Sequence, residues 1–225
     1  ISEGKRKILK EECGVFGIFG AEEASVLTTL GLHSLQHRGQ EGAGIVTFDG
    51  TEFHSLKKEG LVGDNFNSAD ALSKLPGSNA IGHVRYSTTG DSKLENIQPL
   101  FANLALGGFS CAHNGNLTNT NSLKNQLVKT GSIFQTTSDT EVILQLVARS
   151  KEAKIIHKIK DALMKIQGAY SLVMLTNKKL IGVRDPYGIR PLVIGKKGKS
   201  YVLASETCAL DIIGAKYIRD VENGE

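Results

Sequence analysis

The stretch Cys13-Gly-Val-Phe-Gly-Ile-Phe-Gly20 decides the fold class. Its apolar residues occupy both alternating faces, a pattern typical of a short strand that is covered on both sides. A cysteine opens this strand, and the Gly14 that follows would let a ligand approach the backbone closely. A small buried thiol is the simpler interpretation of Cys13, and a nucleophile is the alternative.

Outward from this strand, the sequence alternates between strand and helix patterns. Helical spacing predicts helices over Glu22–His37, capped by Gly39, over Leu117–Val128, from Ser138 through a capping box with Glu141, and over Ile155–Ile166. Strands are predicted at Ile45–Phe48, Glu52–Leu56, Ala80–Tyr86, Leu104–Ala112, Ala169–Leu175, Leu180–Val183, Leu192–Ile194 and Tyr201–Ala204. Because strands cluster at both ends with helices between them, the sequence predicts an α+β fold in one domain.

Composition narrows the class of protein. The 225 residues carry a net charge of +4, and the basic residues are scattered, with few aromatic residues among them. Nucleic acid is therefore not an expected partner. The sequence lacks a long apolar run and an apolar secretory signal, so we expect a cytoplasmic protein without a membrane partner. The 3 cysteines form no CxxC pair, so we expect neither a disulfide framework nor a metal site.

Residues 1–12 differ in character from the strand that follows them. They are rich in charge and end abruptly at Cys13, so they are expected to be a removable leader. Removal would give Cys13 a free α-amine, whose pKa of about 7.7 to 8.0 suits a general base near neutral pH. One residue would then supply both nucleophile and base.

Three polar segments could serve such a nucleophile. In His-Asn-Gly-Asn at 113–116, the Asn114 amide and the Gly115 N–H could stabilise an oxyanion, or the segment could be an ordinary turn. Arg85, at a predicted strand end, could hold a substrate carboxylate or form a surface salt bridge. Asp139 could pair with a substrate ammonium, or Ser138-Asp139 could simply begin a helix.

Together these motifs resemble the glutaminase domain of the amidophosphoribosyltransferases. The resemblance lies, in order along the chain, in residues 13–18, 35–45, 82–86, 113–116, 138–139 and 185–192. It implies an N-terminal nucleophile hydrolase fold, which is a four-layer αββα sandwich. It also implies that residues 13–225 form the glutaminase domain and that residues 1–12 are a propeptide.

The resemblance also implies a role for each matching residue. Cys13 would be the nucleophile, with its own α-amine as the base, and Asn114 and Gly115 would form the oxyanion hole. The reaction would hydrolyse glutamine to glutamate and ammonia through a cysteinyl thioester.

Glutamine itself would be bound by a second set of residues. Arg85 would hold its α-carboxylate and Asp139 its α-ammonium, and Thr88 would help to bind it. Arg38 and Gly39 would belong to a loop that orders around the substrate.

In this family the ammonia passes to phosphoribosylpyrophosphate in a phosphoribosyltransferase domain of the same polypeptide. That domain has an Asp-Asp motif that this sequence lacks. No cofactor is expected in this chain, whereas the full-length family enzyme uses Mg²⁺ with phosphoribosylpyrophosphate, some members carry an iron–sulfur cluster, and a homo-oligomer is expected. The alternatives are the glutaminase domain of a glucosamine-6-phosphate, asparagine or glutamate synthase, and a glutamine-binding module without turnover.

Overall fold

The computed structural model describes residues 13–86 and 94–225, so the predicted leader and Thr88 lie outside the described residues. The described strands are β1 (Gly14–Phe19), β2 (Gly42–Phe48), β3 (Phe53–Glu59), β4 (Asn79–Arg85), β5 (Leu100–Leu104), β6 (Gly107–Leu117), β7 (Gly168–Thr176), β8 (Leu180–Arg184), β9 (Val193–Lys197), β10 (Ser200–Ala204) and β11 (Lys216–Asp220). The described α-helices are α1 (Ala24–Ser34), α2 (Val62–Asn65), α3 (Ala69–Ser73), α4 (Thr120–Lys129), α5 (Asp139–Arg149), α6 (Ile155–Leu163) and α7 (Cys208–Asp211). Within these residues, no helix is long and apolar enough to cross a membrane.

The strands form two antiparallel sheets. The larger sheet has the order β11-β9-β10-β1-β4-β2-β3, and the smaller has the order β5-β6-β7-β8. Strand β1 lies in the middle of the larger sheet, where Phe16 pairs with Ala204 of β10 on one side and with Gly82 of β4 on the other. The predicted strand is therefore confirmed, and five of its six residues are buried, as expected of a strand that is covered on both sides.

Three apolar clusters hold the two sheets and the helices together. The first, which includes Phe16 and Leu32, packs α1 and α7 on the outer face of the larger sheet. The second, which includes Ile143 and Leu172, packs α5 and α6 on the outer face of the smaller sheet. The third, which includes Val15, fills the space between the sheets. The order helix, sheet, sheet, helix confirms the expected αββα sandwich and α+β class.

The end of α1 differs from the prediction. The helix stops at Ser34, a short 3₁₀ turn covers Gln36–Arg38, and Gly39 adopts an extended backbone with φ of −164° instead of a left-handed cap. Glycine is needed here for space, because a Cβ on Gly39 would lie 2.6 Å from the carbonyl carbon of Arg85. The predicted capping role of Gly39 was wrong.

The predicted capping box at α5 is confirmed only in part. Ser138 is the N-cap, and its hydroxyl accepts a hydrogen bond from the Thr140 N–H at 3.3 Å. The Glu141 carboxylate, however, accepts from the N–H groups of Gln135 and Thr136 at 2.9 and 2.7 Å. Glu141 thus fastens the preceding loop to the helix and does not complete a box with Ser138.

The sequence missed two strands, β5 and β11. Strand β5 ends at Leu104, where the predicted strand Leu104–Ala112 begins, and no strand was predicted for the residues before it. All five residues of β11 are exposed, so it shows no alternation of buried and exposed positions. The other predicted elements are present with bounds shifted by a few residues, and the helix predicted from Leu117 begins at Thr120 because β6 continues to Leu117.

Gly31 tests the packing of α1 on the larger sheet. A Cβ at Gly31 would lie 2.4 Å from the ring of Phe16, whereas a Cβ at Gly63 of α2 would meet its nearest neighbour at 3.7 Å. We expect Gly31→Ala to lower the free energy of unfolding by about 1 to 3 kcal/mol through overpacking. The control Gly63→Ala should change stability little, or raise it by up to about 1 kcal/mol. Urea denaturation measures both, and equal stability of the two variants would contradict the packing described here.

Candidate active site

A polar cleft of about 640 Å³ opens where strand ends from both sheets meet the start of α5. Cys13, which precedes β1, lines it together with Arg85 at the end of β4, Gly115 in β6 and Asp139 at the start of α5. The structure therefore brings together four of the residues predicted from separate parts of the sequence.

Cys13 has an unusual backbone. Its φ of 63° is in the left-handed region, which costs a residue other than glycine on the order of 1 to 3 kcal/mol. The half-buried thiol lies beside Tyr86, whose N–H points to Sγ at 3.4 Å. Strain of this kind persists only where the surrounding structure enforces it, and it is concentrated at functional sites.

Arg38 holds the backbone of Cys13 at both ends. The Cys13 N–H donates to the Arg38 carbonyl oxygen at 2.9 Å, and Nε of Arg38 donates to the Cys13 carbonyl oxygen at 2.6 Å. Only 2% of the Arg38 surface is exposed, and its Nη1 forms an ion pair with Glu206. Arg38 and Gly39 thus lie behind the cleft, where Gly39 packs against the backbone of Arg85.

Asn114 and Gly115 lie within β6. They pair with Ser171 and Tyr170 of β7, so the interpretation of residues 113–116 as a turn is wrong, as is the expectation that a strand ends there. The Asn114 side chain is completely buried, and neither its Nδ2 nor its Oδ1 has a hydrogen-bond partner among the described residues. Because an unsatisfied buried amide costs about 1 to 3 kcal/mol, a fold that keeps one usually keeps it for a function.

Gly115 fits a position that no other residue could occupy. Its φ is 144°, and a Cβ there would lie 2.1 Å from the carbonyl oxygen of Ala169. The backbone of β7 therefore requires glycine at this position, and Gly115 itself lines the cleft.

Asp139 is an oriented, charged carboxylate. Its Oδ2 accepts from the Leu117 N–H at 3.0 Å, and its Oδ1 lies 3.3 Å from Nδ1 of His113. Burial alone would raise the pKa of Asp139, but the charge and hydrogen bond of His113 and the backbone N–H groups outweigh burial and hold that pKa below its ordinary value. Asp139 therefore keeps its negative charge at neutral pH.

Arg85 supplies the opposite charge in the same cleft. Its Nη1 is buried and has no hydrogen-bond partner within the described part of the chain. A guanidinium and a carboxylate in one polar cleft match the two charged ends of an amino acid.

Sequence reasoning missed the polar groups that support these residues. The side chain of Gln98 accepts from the His113 N–H at 2.8 Å, and Nε2 of His83 lies 3.1 Å from the His113 carbonyl oxygen. Burial, followed by the charge of His113, lowers the pKa of His83 to about 3, so His83 is neutral. Gln98 and His83 lie 15 and 30 residues from His113 in the sequence, and no local pattern predicts contacts between residues so far apart.

We also searched the described residues for a cluster of metal-binding side chains. Among residues 13–86 and 94–225, no three His, Cys, Asp or Glu side chains are grouped as metal ligands would be. Cys111 and Cys208 form no disulfide within the described part of the chain. The reaction proposed for this chain passes through no metal.

Known proteins are similar to this chain in sequence and in fold. A family model described as a glutamine amidotransferase domain matches residues 83–211. The amidophosphoribosyltransferase of Rhizobium etli is 57% identical over 217 residues, which cover 96% of this chain and 44% of that protein. A solved structure described as the allosteric regulatory enzyme of purine biosynthesis has a TM-score of 0.90 at 52% identity, covering 93% of this chain and 45% of the other.

A second solved structure has a fold that is nearly as similar to that of this chain. The glutamine phosphoribosylpyrophosphate amidotransferase from B. subtilis, complexed with ADP and GMP, has a TM-score of 0.88 at 51% identity and covers 93% of this chain. This chain spans less than half the length of these relatives. The family match, which begins at the strand that carries Arg85 and includes Asn114, Gly115 and Asp139, shows that the chain belongs to the glutamine amidotransferase domain family.

Proposed function

We propose that this chain hydrolyses glutamine to glutamate and ammonia, with Cys13 as the nucleophile. One observation carries the proposal: a strained, half-buried cysteine shares a polar cleft with a fixed carboxylate and a guanidinium. Asn114, next in sequence to the cleft residue Gly115, adds a buried amide that has no hydrogen-bond partner among the described residues. Arg85 would bind the α-carboxylate of glutamine and Asp139 its α-ammonium. Thr88, outside the described residues, is proposed to add a contact to the substrate.

The reaction begins with a proton transfer within one residue. The α-amine of Cys13 takes the thiol proton, and the thiolate attacks the carboxamide carbon of glutamine. The oxyanion that forms accepts hydrogen bonds from Nδ2 of Asn114 and the N–H of Gly115. When the tetrahedral intermediate collapses, the C–N bond breaks, the amine returns its proton to the leaving nitrogen, and ammonia departs.

Water completes the cycle. The γ-glutamyl thioester is attacked by a water molecule, whose proton passes to the same α-amine. The second tetrahedral intermediate uses the same oxyanion hole, the C–S bond breaks, and glutamate leaves as the thiol regains its proton.

The mechanism requires a free amine at Cys13, so we propose that residues 1–12 are removed. An amide nitrogen has no basic lone pair, and it cannot accept the thiol proton. The strained φ of 63° also supports cleavage, because a chain that begins at Cys13 has no φ torsion at that residue. Cleavage would thus relieve strain on the order of 1 to 3 kcal/mol.

We further propose that the ammonia serves the synthesis of phosphoribosylamine in purine biosynthesis, as the names of the relatives suggest. The acceptor would be phosphoribosylpyrophosphate with its Mg²⁺ on a phosphoribosyltransferase domain of the same polypeptide, in a cytoplasmic homo-oligomer. An iron–sulfur cluster, where a relative has one, would lie outside the described residues.

Ammonia release tests the proposed function. Protein that begins at Cys13 should convert glutamine to glutamate and ammonia. Cys13→Ala should abolish turnover because, among the described residues, Cys13 is the only thiol that lines the cleft. Cys208→Ala, which removes the other half-buried thiol, is the control and should retain activity. A coupled glutamate assay measures turnover, and calorimetry measures binding. Glutamine binding without ammonia release would identify a binding module instead.

Replacing Asn114 tests the oxyanion hole. Loss of one donor should lower kcat by roughly 10² to 10³ in Asn114→Ala, with a much smaller change in KM. Asn79→Ala is the matched control, because Asn79 is also a buried asparagine but lies at the far end of β4, where it accepts from the Gly20 N–H. It should cost stability and leave kcat unchanged. Near-normal kcat in folded Asn114→Ala would remove Asn114 from the mechanism.

A further inference from the structure

Glu206 lies outside the cleft but contacts the residue that holds Cys13. Its carboxylate pairs with Nη1 of Arg38, and 33% of its side chain is exposed. The same carboxylate lies 3.1 Å from Nε2 of His37 and 3.6 Å from Sγ of Cys208. Of these three neighbours within the described part of the chain, Arg38 is the one that contacts the proposed nucleophile.

The sheet fixes the position of Glu206. The preceding residue, Ser205, is buried; its N–H donates to the Val15 carbonyl oxygen at 3.0 Å, and its Oγ accepts from the Val15 N–H at 2.9 Å. These two bonds extend the pairing of β10 with β1 to within two residues of Cys13. Glu206 follows immediately, so its backbone is set by the same register that sets Cys13.

We propose that Glu206 is a positioning residue for catalysis, acting through Arg38 on the backbone of Cys13. This inference rests on the proposed glutaminase function. The chain of contacts runs from the Glu206 carboxylate to the Arg38 guanidinium, and from its Nε to the Cys13 carbonyl oxygen at 2.6 Å. The carbonyl of Arg38 accepts from the Cys13 nitrogen at 2.9 Å, and this nitrogen is the proposed base.

Charge and burial explain why the carboxylate matters. Arg38 is almost completely buried, and a buried guanidinium is strongly destabilised when it loses a carboxylate partner. Partial burial would raise the pKa of Glu206, but the hydrogen bond and charge of Arg38 outweigh burial and hold that pKa below its ordinary value, so the pair is charged at neutral pH. Without Glu206, the guanidinium would turn toward water and release the Cys13 carbonyl.

Glu206 touches no part of the cleft, so its loss should affect the reaction more than substrate binding. We expect Glu206→Ala to lower kcat for ammonia release roughly 10²-fold, because a reacting group that is misplaced by about 1 Å costs about that much in rate. KM should change little. Glu206→Gln keeps an acceptor oxygen for Arg38 and should recover part of kcat. Glu152→Gln is the matched control: it removes a carboxylate that also faces a histidine, His157, at 3.7 Å, and it should behave as wild type.

A double-mutant cycle separates this role from a general loss of stability. If Glu206 acts through Arg38, then Arg38→Ala and the double variant should have the same kcat, because the second change removes nothing further. The inference would be overturned if the double variant lost kcat by the product of the two single losses. It would also be overturned if kcat of Glu206→Ala stayed within about 2-fold of wild type, or if its loss of kcat came with an equal rise in KM. Thermal unfolding identifies any variant that fails to fold, and Glu206→Gln then provides the comparison.

The rate of Cys13 alkylation can be measured without glutamine, so it tests the role of Glu206 independently of the glutaminase proposal. Alkylation of the Cys13 thiol by iodoacetamide at neutral pH should be slower in Glu206→Ala than in wild type, because the displaced amine no longer takes the thiol proton. The two rates should converge at alkaline pH, where the thiol ionises unaided. Wild-type protein without ammonia release would refute the glutaminase proposal, whereas equal neutral alkylation rates in the two proteins would refute the role of Glu206.

Discussion

The pairing of β1 with its two neighbours is the constraint on which the rest of the structure depends. The pair Gly14↔Val84 places Cys13 beside Arg85 and Tyr86, and the pair Phe16↔Ala204 brings Glu206 toward the same end of the strand. A shift of one residue would turn every side chain of β1 to the opposite face. Phe16 and Val15 fill separate packed cores on the two faces of the sheet, so such a shift would put each side chain into a core shaped for a different residue.

The site that results tolerates several unfavourable features. Cys13 has a left-handed backbone, the Asn114 amide is buried without a partner among the described residues, and Arg38 places a guanidinium in the interior. Each would cost on the order of 1 to 3 kcal/mol or more in isolation. Cys13 and Gly115, the neighbour of Asn114, line the same cleft, and Arg38 contacts Cys13. The proposed cleavage would relieve the strain at Cys13, whereas the other two costs would remain in a site that a fold selected for catalysis retains. The apolar layers on either side of both sheets stabilise the fold that keeps them there.

Much of the arrangement could be predicted from the sequence. The segment from Cys13, which is apolar on both faces, predicted a covered strand, and Ser138 predicted the start of α5. The family resemblance implied the αββα sandwich. Gly39 was misread because close approach and left-handed conformation both favour glycine, and only the neighbouring Arg85 backbone distinguishes them. The Asn-Gly pair was compatible with a turn, although it lies in β6, where β7 provides the pairing.

The missing parts depended on contacts between distant residues. Glu206 is separated from Arg38 by 168 positions, so neither periodicity nor spacing could associate them. Gln98 contacts His113 from the loop before β5, and nothing in the sequence near Gln98 predicted this contact. A motif can thus indicate which residues react, whereas the groups that orient them become visible only when the chain is folded.

The most direct test of the account is to trap the covalent intermediate. Protein that begins at Cys13 would be mixed with isotopically labelled glutamine, quenched in acid during turnover, digested and analysed by mass spectrometry. The account predicts a labelled γ-glutamyl thioester on the peptide that begins at Cys13, and none on the peptides that contain Cys111 or Cys208. Ammonia release at an undiminished rate without an adduct at Cys13, or with the label on another cysteine, would contradict it.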